Sequence, residues 1–151
     1  MDSLELERRI SLLVKSAGFR LIKAHWRLAR RKPLLSVVAD AEDHNISVSE
    51  CADLSRMISD LLDSYPHEFP DYRLEVSSPG LNHPLEPWQL QKNVGRTVKV
   101  QYSDQNALKI HTGILVSVDV NRISVQDLKT AATWDFTLED VRGIFVIPKL
   151  C

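Results

Sequence analysis

The arrangement closest to catalytic chemistry is Ser77-Ser78-Pro79-Gly80 with His83 three residues on. A serine nucleophile needs a base within hydrogen-bond reach and N–H donors for the developing oxyanion. Pro79, directly after Ser78, has no N–H to give. Turn chemistry accounts for the same residues. Pro at the second place of a turn presets φ, Gly at the third supplies the positive φ of a type II turn, and serine hydroxyls bond local backbone. Ser77, Ser78, Pro79 and Gly80 are read as a sharp inter-domain turn.

Metal chemistry has no better footing. The histidines at 25, 44, 67, 83 and 111 never fall three or four residues apart, and none neighbours a cysteine. Cys51 and Cys151 form neither a disulfide framework nor a zinc spacing, and Cys51, with apolar stripes on either side, reads as an inert core thiol. Asp40, Glu42 and Asp43 lack the glycine and closing Glu of a calcium loop and read as a solvated loop ahead of a helix. Five scattered glycines offer no phosphate-cradling loop. The expectation is a protein with no catalytic residues, no cofactor and no metal, and so not an enzyme.

The one charged feature of note is Arg20 to Lys32, with Arg20, Lys23, Arg27, Arg30, Arg31 and Lys32 and no acid among them. On alternating strand positions some of these share an exposed face, and three cap a hairpin tip. Such a patch suits RNA phosphates, through point charges that weaken with salt. It equally suits a charged edge that guards a hairpin against aggregation. Arg27, Arg30, Arg31 and Lys32 are the candidate RNA contacts.

The elements that position these groups follow from periodicity. Asp2 and Ser3 with Glu5 read as a capping box for a helix carrying Leu6, Ile10, Leu13, Val14 and Ala17, closed by Gly18. Phe19–Ala29 and Leu34–Asp40 read as a hairpin across Arg30-Arg31-Lys32-Pro33. Ser47 and Glu50 cap a second helix, through about Asp63, with Leu54, Ile58, Leu61 and Leu62 on its stripe. Asp71–Ser77 reads as a third strand. The order α-β-β-α-β, with a right-handed crossover, predicts an α+β domain with a three-stranded sheet and two helices on one face. The order is KH-like, yet the Gly-x-x-Gly backbone clamp is missing.

Beyond Pro84 and Pro87 the period changes. A helical turn at Trp88–Gln91 precedes five short strands, Thr97–Tyr102, Ile110–Val118, Ser124–Leu128, Thr133–Phe136 and Ile144–Ile147. Five strands in so short a stretch suggest a small closed barrel, which removes exposed edges. The expected domains are residues 1–80, a Pro-rich linker at 81–87, and residues 88–151. Of the 151 residues, 26% are charged and the net charge is −1, so neither half has the basic excess of a dedicated nucleic-acid binder. The polar start MDSLELERR is unlike a signal peptide, and no apolar run approaches a membrane span. A cytoplasmic monomer without membrane contact is expected.

Three motifs resemble the bacterial ribosome maturation factor RimP family: Cys51-Ala52-Asp53-Leu54-Ser55-Arg56 continuing to Leu61-Leu62-Asp63; Leu74 to Leu81 ending in Pro84-Leu85; and Val94-Gly95 with Val141 through Pro148. The resemblance implies an α/β domain joined to a Sm-like β-barrel. It implies a non-enzymatic assembly chaperone for the small (30S) ribosomal subunit, touching 16S rRNA and ribosomal proteins, with the C-terminal barrel engaging small-subunit protein twelve. The alternative from the residues alone is a general RNA-binding module not dedicated to the ribosome. The chain departs from the family pattern at Asn82-His83, in place of Asp-Arg, at His44-Asn45, in place of a glycine, and at Gly143-Ile144, in place of Lys-Ala.

Overall fold

The computed structural model describes residues 1–29, 31–80 and 83–148. Two compact units emerge, Met1–Pro79 and Gly80–Cys151.

In the first unit, the Asp2 carboxylate accepts the Glu5 N–H at 2.8 Å and starts α1, Ser3–Ser16. The expected second half of that capping box is replaced by another contact: Glu5 accepts from Arg9 at 3.0 Å, one turn onward, where an opposite charge competes for the carboxylate. Gly18, at φ +94, lets the Phe19 N–H reach back to the Val14 carbonyl at 3.1 Å and stops the helix. The second box is complete. Ser47 and Glu50 bond each other's backbone at 3.0 and 3.1 Å, and α2 spans Val48–Asp63.

The strands are β1 (Arg20–Ala29), β2 (Lys32–Asp40) and β3 (Arg73–Ser77), in that order across the sheet. β1 and β2 are antiparallel; β2 and β3, joined through α2, are parallel. Leu35, Val37 and Ala39 alternate on one face of β2. They share a core with Leu6, Ile10 and Val14 of α1 and Leu54, Ile58 and Leu62 of α2. Both helices therefore cover the same side of the sheet.

The first unit departs from the sequence reading at several points. β2 begins at Lys32, so Pro33 belongs to a strand and not to the turn. Pro33 pairs with Leu28 on β1, while pairing to β3 starts only at Leu34, so its missing N–H breaks no ladder bond. β3 omits Asp71 and Tyr72; the Tyr72 hydroxyl turns instead to α2, 3.0 Å from Ser59 Oγ and 2.8 Å from Asp63. Asp40 is not a solvated loop residue. It is 3% exposed, and its carboxylate accepts the Ile46 N–H at 3.0 Å, tying the loop down before α2.

The second unit begins its regular structure with α3, Pro87–Leu90, which tightens into a 3-10 turn at Gln91–Asn93. Five strands follow: β4 (Thr97–Asp104), β5 (Ala107–Val118), β6 (Arg122–Asp127), β7 (Thr133–Thr137) and, after a 3-10 turn at Leu138–Asp140, β8 (Val141–Val146). All neighbours are antiparallel, in the order β7-β6-β5-β4-β8. Ser103 and Asp104, expected in a loop, are strand. Gln105 and Asn106 alone make the turn, at φ +49 and +67, the two positive values that a tight hairpin loop needs. Leu90, Val98, Val100, Leu115, Ile123, Val125, Phe136 and Ile144 form the core. Leu85, placed by its prolines in the linker, donates its N–H to the Ile144 carbonyl at 2.7 Å and packs on that core.

Candidate nucleic-acid interface

The side of the first sheet turned away from α1 and α2 is where the basic residues meet. Strand alternation sends Trp26, Ala24 and Leu21 of β1 to the core, and Arg27, His25 and Lys23 to the opposite face. A bulge at Ile22 breaks the register between Leu21 and Lys23, which keeps Arg20 on the same side as Lys23 while Leu21 stays inward. On β3, Leu74 and Val76 point to the core, and Arg73 and Glu75 share the outer face. Across the three strands the rows read Arg27–Leu34–Arg73, His25–Ser36–Glu75 and Lys23–Val38–Ser77.

The charges on this face are partly answered. Arg27 lies 3.6 Å from the Glu75 carboxylate, Lys32 lies 3.3 Å from Asp71, and Arg20 pairs with Glu42. All these partners are exposed, where a pair holds by only about 0–1 kcal/mol. Lys23, Arg31 and Arg73 have no ion-pair partner among the described residues. Arg31 sits in the hairpin loop at φ +68, a backbone region that an L residue other than Gly, Asn or Asp seldom occupies.

Of the four candidate contacts, Arg27 is on the sheet face, Arg31 is in the loop and Lys32 is the first residue of β2; Arg30 lies outside the described residues. In the turn set, Ser77 ends β3 opposite Val38, Ser78 and Pro79 leave the sheet, and Gly80 stands at φ +67. Asn82, Leu81 and Cys151 lie outside the described residues.

The other polar groups are held in packing contacts. No group of three or more His, Cys, Asp and Glu converges on a common point among the described residues. Cys51 is half-buried, and burial pushes its thiol pKa up, away from reactivity. His44 bonds Asp43 at 2.7 Å and Glu50 at 2.9 Å, which raises its pKa. In the second unit His111, 8% exposed, stacks on Trp134 at 4.1 Å, with Nε2 3.7 Å from an Asp127 oxygen.

Residues 9–82 match the sequence family described as the RimP N-terminal domain. The chain belongs to the RimP family. The matched span takes in β1, β2, α2, β3 and the Gly80 turn, so the whole basic face lies within the RimP N-terminal domain. Among the described residues no helix is long and apolar enough to cross a membrane.

Sequence reasoning stopped at the hairpin and missed three residues that shape the RimP domain's face: Arg73, Glu75 and Asp71. The signal was present. Arg73 and Glu75 alternate with Leu74 and Val76, and a parallel β2–β3 pair places them beside the hairpin's outward charges.

Proposed function

We propose that this protein is a ribosome maturation factor, a non-enzymatic assembly chaperone that binds the small ribosomal subunit during its biogenesis. The observation that carries this reading is the RimP N-terminal domain over residues 9–82. The exposed cations of β1, the hairpin loop and the start of β2 support a contact to 16S rRNA through Arg27, Arg31 and Lys32, with Arg30 between them in sequence. A factor of this kind acts by binding one conformer of the immature subunit more tightly than others, which shifts the population by the difference in affinity alone. The five-stranded antiparallel sheet of the second unit is read as a Sm-like barrel that engages ribosomal proteins, small-subunit protein twelve among them. The protein works as a cytoplasmic monomer without a cofactor.

Sucrose-gradient fractionation tests the reading. The expected result is co-migration with free small subunits and not with mature ribosomes, together with accumulation of small-subunit rRNA precursors when the protein is lost. Diffuse association with many RNAs and normal rRNA processing would replace it with a general RNA-binding module.

A further inference from the structure

We propose that the sheet face turned away from the two helices, and not the hairpin tip alone, is a platform for the phosphate backbone of structured RNA, with Lys23 and Arg73 as its open cations and Arg27 as a cation that Glu75 holds until RNA displaces it. The inference deepens the ribosomal reading and rests on it.

Geometry comes first. Neighbouring strands lie about 4.8 Å apart, so Arg27 and Arg73, flanking Leu34 in one row, stand roughly 10 Å apart at the backbone. Lys23 is four residues from Arg27 along β1, about 13 Å away. A duplex carries about one charge per 1.7 Å of axis, so a patch of this size faces several phosphates at once. Lys23, Arg27 and Arg73 are all exposed, against one exposed acid, Glu75, on the same rows. The floor between them is apolar on either side of Ser36: Leu34 and Val38 are each 7% exposed although both helices pack on the opposite side. Long basic stems lying over such a floor keep their heads at the surface, and the low-dielectric ground beneath them strengthens their field.

The composition of the face decides what kind of contact it makes. Its rows contain no Phe, Tyr or Trp; Trp26 of β1 is turned to the core and stacks on Phe69 at 5.8 Å. Single-strand readers stack successive bases on several aromatic rings, and the rows of this face offer one ring only, the His25 imidazole. Charges with so small a stacking surface recognise backbone and shape, which is how proteins bind paired RNA. The Arg27–Glu75 pair, 3.6 Å apart with both side chains more than half exposed, is loose enough to exchange. A guanidinium gains more from two-pronged contact with a phosphate than from a distant carboxylate.

The test uses the full chain, a short mixed-sequence RNA duplex and isolated immature small subunits, over a salt series. Lys23→Glu with Arg73→Glu is expected to weaken duplex binding about tenfold or more and to flatten the slope of log affinity against log salt by about two, one for each lost phosphate contact. Glu75→Gln, which leaves every cation in place, is expected to strengthen binding and steepen the slope. Unchanged affinity and slope in both variants overturn the proposal. So does weakened subunit binding by the double variant when the wild-type chain fails to bind the duplex, since the face would then dock an acidic protein. Duplex binding that follows these expectations, with no binding to immature subunits, upholds the platform and removes the ribosomal reading.

Discussion

Gly113 is a position where a single methyl group should threaten a whole unit. It lies in β5, paired with Val98 on one side and Asp127 on the other, and it is buried. A Cβ built there meets Val125 Cγ1 at 2.7 Å and lies closer still to the Gln126 carbonyl oxygen. A flexible side-chain tip could swing aside, but a backbone carbonyl inside a ladder moves only if β5 and β6 part. Overpacking a well-filled core costs about 1–3 kcal/mol, and the rigid neighbour puts Gly113→Ala at the upper end, about 3 kcal/mol. A unit of about 70 residues holds roughly 4–11 kcal/mol in total, so the loss is a large share of it. At about 4–8 °C per kcal/mol for a domain of this size, the midpoint should fall by roughly 12–24 °C. Indole N–H signals followed by NMR during heating separate the units, with Trp26 reporting the first and Trp88 and Trp134 the second. Gly80→Ala is the control: nothing lies within 4 Å of a Cβ there, so only the φ of +67 resists, at about 1 kcal/mol. A fall of less than about 4 °C at the second unit's tryptophans in Gly113→Ala would refute the packing argument.

Two further outcomes follow from buried or paired charges. Asp40→Ala strands the Ile46 N–H in a site where Asp40 is 3% exposed, and should cost about 1–3 kcal/mol of the first unit's stability in urea unfolding; a loss within error would mean the loop finds another acceptor. His44, bonded first to Asp43 and then to Glu50, has its pKa raised above the ordinary 6.5. Its contribution is therefore complete below that value and is lost as pH rises through the higher folded value. Glu50, lowered first by the Ser47 N–H and then by His44, behaves oppositely: its contribution holds above its ordinary 4.5 and is lost as pH falls through its lower folded value. The stability gap between wild type and His44→Gln should shrink as the solution is made alkaline, and a gap independent of pH would count against the His44 contacts.

Much of the fold was legible because local chemistry and tertiary packing agree. The Ser47–Glu50 box, the stripe Leu54, Ile58 and Leu62, and the five strands after Pro87 each carry their own signal. The misses share a cause, which is that the deciding partner is remote in sequence. Pro33 reads as a turn residue until the register shows that β3 does not reach it. Asp40 reads as solvated until the Ile46 N–H is seen to need it. Ser103 and Asp104 read as loop because nothing local says that Gln105 and Asn106 alone reverse the chain. The candidate interface was half legible for the same reason. The run from Arg20 to Lys32 announces itself, but its sharing of a face with Arg73 and its restraint by Glu75 and Asp71 depend on β2–β3 pairing across α2. The bulge at Ile22, which keeps Arg20 and Lys23 on one side, has no signature in residue type.

The pairing of β4 with β8 bears on the order in which the protein is made. The first unit has all its strands once Ser77 has been synthesised, and α2 already lies between the two that must run parallel. The second unit has to wait, because Val98 finds its neighbour Val146 only when that residue emerges from the ribosome. Until then one flank of Thr97–Asp104 has no strand beside it and can recruit a foreign one. A nascent copy therefore carries a finished, charge-bearing body ahead of an unfinished sheet in chain order, and any delay in translation past Thr137 lengthens the interval in which that flank lies open.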